Sequence, residues 1–189
     1  MKEAFTRKSL LILGRGIGQV MFQNNALSGL LMLIGIFLNS WQMGLLAVSG
    51  NIISTLTARI SGYDCDDIKN GLYGFNGTLV GIAVGVFMLL TVSSLMLMAI
   101  ASCASTYIAR FFNMQRMLPG FTTLFILSVW MLLGLCSWLM PDMLLVSDTE
   151  TPASSSINYL QCFSMSIGQV MFQGNIMTGL FFLSLIHIS

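Results

Sequence analysis

Charge is what this chain has least of. Only 8% of its 189 residues are Asp, Glu, Lys or Arg, against about 25% in an ordinary soluble domain. Hydrophobic residues make up 56% and the mean hydropathy is +0.84, so most of the length has nothing to present to water. The composition is that of a polytopic, all-α membrane protein. A net charge of +1 leaves no basic surface for nucleic acid, and no nucleic-acid partner is expected. The four cysteines (Cys65, Cys103, Cys136 and Cys162) are scattered without a CxxC pair, which suggests neither a zinc site nor a disulfide framework. Histidine occurs once, as His187. No GxSxG, HExxH or P-loop is present, and each is the minimum equipment of its chemistry. The acids of YDCDD (Asp64, Asp66 and Asp67) have no histidine near them and read as a solvated turn. GRGIG at 14–18 lacks both the preceding strand and the later ribose-binding acid of a nucleotide fingerprint. An enzyme is not expected, nor a metal or cofactor.

What the chain does contain is a duplication. Ile17 to Leu30 reads IGQVMFQNNALSGL, and Ile167 to Leu180, 150 residues later, reads IGQVMFQGNIMTGL, with ten of 14 positions identical. Two copies of one apolar segment that carry glutamines and an asparagine mark a membrane protein built from two related units. In such proteins the solute path runs between the copies.

The positive residues sketch the topology. Lys2, Arg7, Lys8 and Arg15 form one group, Arg59 and Lys69 a second, Arg110 and Arg116 a third. All three should lie on the cytoplasmic side. Residues 17–58 then have length for two helices at about 20 residues each. Residues 70–109 supply two passes, or a helix, a re-entrant segment and a further helix, and 120–140 a single exit. The N-terminal basic group precedes no small-residue cleavage site, so an uncleaved cytoplasmic N-terminus is expected. Residues 141–158 (PDMLLVSDTETPASSSIN) contain acids and no base and read as an outer polar linker. The expected organisation is therefore a cytoplasmic segment 1–15, a first membrane repeat 16–140, an extracytoplasmic linker 141–158 and the start of a second repeat, 159–189. An odd number of crossings before the linker places the second copy in inverted orientation.

Polar residues inside apolar sequence narrow the function. Gln19, Gln23, Asn24 and Asn25 fall in the first copy, Gln169, Gln173 and Asn175 in the second; Asn51, Thr55, Thr57, Asn76, Thr78, Thr122 and Thr123 lie between. In a bilayer such groups face the bundle interior or a water-lined cavity. Asn51, Thr55 and Thr57 read as helix-to-helix ties, at about 0.6 kcal/mol per bond. Gln19 and Gln169 stand apart because duplication makes them equivalent points of two half-sites. Gly77, Gly81 and Gly85, four residues apart, read as a close-packing face. Trp41 and Trp138 suit the headgroup region, and Trp130, mid-span, reads as packing. No Asp, Glu, Lys or His falls within the spans of the first unit, whereas proton coupling or ion conduction needs ionisable groups or a carbonyl filter. The solute should be small, polar and neutral.

Four stretches carry a family resemblance: GQVMFQNNALSGL at 18–30, STLTARI at 54–60, NGLYGFNGTLVGIAVG at 70–85, and LPGFTTLF at 118–125 followed by Trp130. In this order, between two GQVxF copies, they resemble the urea transporter family, bacterial type, over most of residues 14–180. The resemblance implies two inverted halves of five helices, each with a re-entrant segment, assembled as homotrimers in the inner (plasma) membrane with one pore per protomer. It implies passive, channel-like passage of dehydrated urea through flat aromatic slots beside ladders of oxygen acceptors. Urea is planar and rich in N–H donors, so amide and hydroxyl oxygens replace its lost water bonds. Residue by residue, the resemblance assigns Gln19, Val20 and Phe22 to one mouth, and Gln169, Val170 and Phe172 to the other. Phe75 and Leu79 become slot walls, and Thr122 of LPxxT the hydroxyl at the central constriction.

This chain departs from the family in places. Ala26 and Leu124 stand where the family usually has proline, which frees backbone N–H groups and removes a kink constraint. After Leu180 the chain reads FFLSLIHIS, without a second GFNGTL or LPxxT segment, and SLIHIS resembles translated sequencing-adaptor sequence. The expectation is an incomplete fragment, truncated after the first of two repeats; a stop codon after Ser189 in the source locus would count against it. Two other readings stay open. One is a channel for a different small neutral solute, such as an amide, ammonia or water; the other is a non-functional membrane fragment.

Overall fold

The computed structural model describes residues 2–115, 123–145, 159–169 and 176–184, and they are helical almost throughout. Helix α1 (Lys2–Gly18) runs unbroken across residue 15, passes into a 3-10 turn (Gln19–Met21), and is followed by α2 (Ala26–Asn39) and α3 (Trp41–Ile60). A short α4 (Cys65–Lys69), α5 (Gly74–Phe87), α6 (Val92–Gln115) and α7 (Thr123–Leu139) complete the first unit. The second motif copy forms α8 (Tyr159–Gly168) and α9 (Ile176–Ser184).

Local chemistry sets these boundaries. Asn25, extended at φ −133°, caps α2 by accepting from the Leu27 N–H at 3.0 Å. Ser40 both closes α2, donating its N–H to the Ile36 carbonyl, and caps α3 through Met43. Thr91 and Ser94 cap each other reciprocally at the start of α6, each hydroxyl accepting from the other's N–H at 2.9 and 3.2 Å. Such caps replace the intrahelical bonds that the first turn cannot make.

Among the described residues, only α3 and α6 are single helices long and apolar enough to cross a bilayer, α3 at 20 residues reaching about 30 Å. Residues 8–21 and 26–39 form a bent pair, turned by 74° at the intervening break. The 14 residues of α5 span only about 21 Å, short of a hydrocarbon core of about 30 Å. Over residues 70–109 a half-length helix, α5, is followed by one long helix, α6, an arrangement that is neither two full-length passes nor three segments. Residues 87–89 then pair with 143–145: Leu89 donates to the Met143 carbonyl and Leu145 to the Phe87 carbonyl, each at 2.9 Å. This antiparallel bridge satisfies backbone groups where α5 stops short.

Helix α5 lies on α3 with backbones touching. A Cβ on Gly50 would overlap the Gly77 carbonyl, one on Gly77 the Gly50 carbonyl, and one on Gly81 the Leu46 carbonyl. The packing reading of the glycine face holds, with Gly85 against Met43 and Leu46. Polar ties accompany it. Asn51, 1% exposed, donates to the Leu13 carbonyl and to Thr78 Oγ1, both at 3.1 Å, and accepts from Thr55 Oγ1 at 3.2 Å. Ser54 donates to the Ser102 carbonyl of α6 at 2.9 Å.

Over their described residues the duplicated segments fold alike. The first copy leaves its α-helix at Gly18 and restarts at Ala26; the second leaves at Gly168 and restarts at Ile176. Gly29 packs against the Gly14 backbone, and Gly179, its counterpart, against Ser164, the counterpart of Gly14. Between the copies, Thr178 Oγ1 donates to the Gly35 carbonyl at 2.9 Å, and Phe182 is buried beside Met32 and Ile36.

The structure corrects one side-chain reading. Trp130 does not pack inside this chain; it is 69% exposed, as Trp41 and Trp138 also are at 63% and 80%. Helix α7 is apolar all round, so its pattern carries no inward stripe. Val129, Leu132 and Cys136 form the buried face.

Candidate functional site

The break between α1 and α2 is the centre of the site. After Gly18 the chain makes one 3-10 turn, and Phe22 takes the left-handed conformation at φ 58°. Phe22 donates its N–H to the Gln19 carbonyl at 2.9 Å and Gln23 to the Gly18 carbonyl at 3.0 Å. The turn is closed by its own backbone, and bulky residues rarely hold positive φ without such constraint.

The loop before α5 holds the other side of the break. Gly71, at φ +77°, brings its backbone against Gly16 so closely that a Cβ there would overlap Gly16. This is a position that only glycine fills without strain. Gln19 Nε2 donates to the Asn70 carbonyl at 3.0 Å, Asn24 Nδ2 to Asn70 Oδ1 at 3.1 Å, and Arg15 Nη1 to the Lys69 carbonyl at 3.2 Å. The Gln19 amide is thus oriented, with Nε2 engaged and Oε1 left to accept.

Three expected site residues converge. Val20 and Leu79, 5% and 2% exposed, belong to one buried cluster with Ile17, Met32 and Ile36, and Phe75 packs against its edge. Phe182 and Ile167 of the second copy join the same cluster. Gln19 sits half-buried at its margin. Phe22 is not drawn in and is 67% exposed. Gln169 follows the end of α8 and is exposed. Thr122, Val170 and Phe172 lie outside the described residues.

Of two further polar features, one was not singled out from the sequence and the other was noted there only as one of several polar residues in apolar sequence. Asn70 is the acceptor for both Gln19 and Asn24, and its place in the NGLYGFNG stretch was the available signal. Asn76, between the wall residues Phe75 and Leu79, is fully buried with neither amide atom hydrogen-bonded. A buried orphan amide in a native fold calls for an explanation.

Ionisable groups stay at the periphery. Asp64 caps α4, and the N–H groups of Asp67 and Asp66 hold its carboxyl below the usual range. Partial burial, then the Asp64 charge, pushes Asp67 up. The hydrogen bond from Lys69 to Asp66, 2.8 Å long, raises the lysine. Among the described residues no group of His, Cys, Asp and Glu is placed to hold a metal ion.

Comparison with known proteins decides the family. Residues 10–189 match the family described as urea transporter. The chain belongs to the urea transporter family. Among its relatives, urea transporter 1 of Mus musculus is 44% identical over 73 residues, and urea transporter 1 of Ovis aries 41% over the same length. Each alignment covers 39% of this chain and 19% of the relative. The matched stretch is thus about a fifth of the relatives' length. The family is one of membrane transporters rather than enzymes, in keeping with an all-helical chain whose apolar helices α3 and α6 are long enough to span a bilayer.

Proposed function

We propose that this urea transporter family member contributes half of a passive, channel-like path for urea. Gln19, Val20, Phe22, Phe75, Leu79 and Thr122 serve one half-site, and Gln169, Val170 and Phe172 the related one. The observation that carries the reading is the convergence of Val20, Leu79 and Phe75 with Phe182 and Ile167 of the second copy on one cluster, beside the oriented amide of Gln19. Apolar walls next to a fixed acceptor oxygen suit a flat, neutral N–H donor. The relatives' names point to the same solute.

The finer parts of the reading follow from the resemblance and the charge pattern. The second copy enters the membrane from the opposite side as an inverted repeat. The basic clusters face the cytoplasm, with the N-terminus inside and the inner (plasma) membrane as host. The complete protein is a homotrimer with one path per protomer, and this chain is a fragment of it.

Stopped-flow shrink–swell traces of proteoliposomes holding the complete gene product test the function. Urea should re-enter far faster than into empty vesicles, and equal rates reject the proposal. Gln19→Ala and Thr122→Val should each slow urea entry about tenfold, the loss of one transition-state hydrogen bond of about 1.4 kcal/mol, without opening an ion leak. If amides, ammonia or water pass while urea does not, the pathway stands with a different solute.

A further inference from the structure

We propose that the cavity between α1, α3 and α4 binds the headgroup end of an anionic phospholipid from the surrounding bilayer. The chain has eight Lys and Arg residues, and four of them (Lys8, Arg15, Arg59 and Lys69) line this one cavity of about 400 Å³. In a sequence so poor in charge, such a concentration needs a counter-charge. Helix α1 presents Lys8, Leu11, Ile12 and Arg15 at the i, i+3, i+4, i+7 spacing of a single face. Arg59 projects from the last turn of α3 and Lys69 from the last turn of α4. Three elements thus aim cations at one space.

The carboxylates among the described residues leave most of this charge unpaired. Among the described residues Lys69 alone has a carboxylate partner, Asp66, in an exposed pair. Asp64 is committed to capping α4. Arg15 uses Nη1 on the Lys69 carbonyl and keeps the rest of its guanidinium fork. Between the cations the walls are aliphatic: Leu11, Ile12 and Ile68, the last two buried at 8% and 6% exposure. A soluble anion would use the charges and leave these walls in contact with water. A lipid uses both, its phosphate among the cations and its upper acyl chain along Leu11. Basic pockets between helices at the membrane interface bind anionic headgroups in this way.

Native mass spectrometry of the purified protein, with phosphatidylglycerol and phosphatidylcholine of identical chains in competition, tests the assignment. At about fivefold per cation, four cations give a preference of roughly several hundredfold, and removing two should cut it about 25-fold. The wild type should therefore favour phosphatidylglycerol strongly, and the Arg15→Gln/Arg59→Gln variant should lose about 25-fold of that preference. Arg15→Lys/Arg59→Lys should retain the preference, and so should Arg110→Gln, whose cation lies over Tyr63 instead. If the glutamine pair fails to fold, Lys8→Gln/Lys69→Gln carries the same expectation from the more exposed cations. Parity in the wild type overturns the proposal. So does an undiminished preference in a folded double variant, or displacement of the lipid by soluble glycerol phosphate at equal concentration.

Discussion

Replacing Asn51 by leucine should loosen α1 from the α3–α5 pair. Asn51 fills the angle between the three helices, with Gly16 of α1 and Gly74 of α5 both facing its amide. It makes three hydrogen bonds: to Leu13 of α1, to Thr78 of α5, and from Thr55 of its own helix. At about 0.6 kcal/mol per buried membrane hydrogen bond, their loss comes to about 2 kcal/mol. Compensation limits the cost, because Thr78 Oγ1 keeps its bond to the Gly74 carbonyl at 3.0 Å. Leucine has the branched shape of asparagine but a larger volume, so it leaves no cavity and any further cost comes from overpacking against Gly16 and Gly74. The measurement is reversible unfolding in mixed micelles, with Thr55→Val and the double variant closing a cycle. The expected outcome is a loss of about 2 kcal/mol for Asn51→Leu and a coupling of about 0.6 kcal/mol with Thr55. A variant within about 0.5 kcal/mol of wild type would refute the claim that these bonds hold α1 in place. The same variant should slow solute flux, since α1 carries Gln19 to the Asn70 carbonyl.

Gly50→Ala should destabilise by about 1–3 kcal/mol through forced separation of α3 and α5, whereas Gly134→Ala, where a Cβ meets nothing within 4 Å, should gain slightly from helix propensity; equal melting temperatures for the two would defeat the close-packing account. Asp64 has a lowered folded-state pKa, so its contribution to α4 is present above the unfolded value of about 3.9 and vanishes as pH falls through the folded one. Amide exchange at Asp66 and Asp67 should therefore be protected at pH 5–7 in wild type and lose that protection in Asp64→Ala, and protection unaffected by the substitution would contradict the cap.

How much of this was legible beforehand depended on whether a residue's role is local or set by distant neighbours. The duplication located Gln19, because it makes that residue one of two equivalent points, but not the helix break beside it, which falls inside a stretch read as two continuous helices. Asn51, Thr55 and Thr57 were readable as ties, since uncharged polar groups in lipid have few other fates. Gly77, Gly81 and Gly85 announced a close approach by spacing alone. The partner of Gln19 was not readable: Asn70 lies 51 positions away and meets it only because Gly71 adopts positive φ against Gly16. Nor was the outward face of Trp130, since a helix apolar on every side encodes burial without direction. Phe22 shows the same limit from the other side. The family resemblance marked it as a site residue, yet the left-handed turn leaves it exposed while Val20, two residues earlier, is buried.

That contrast bears on how a path would be assembled. Val20 and Leu79 share one buried cluster with Phe182 of α9, which in the proposed path would form one dry side. Phe22, by contrast, is fixed in backbone by two main-chain hydrogen bonds around the turn and still presents most of its ring outward. Under the proposed function, a flat ring held at a fixed angle would be a wall for a planar solute. In the proposed path the Gln19 Oε1, three residues earlier in sequence, would supply the acceptor at the wall's edge. Helix termination at Gly18, the 3-10 turn and the left-handed residue are one backbone device, which would set the mouth of that path.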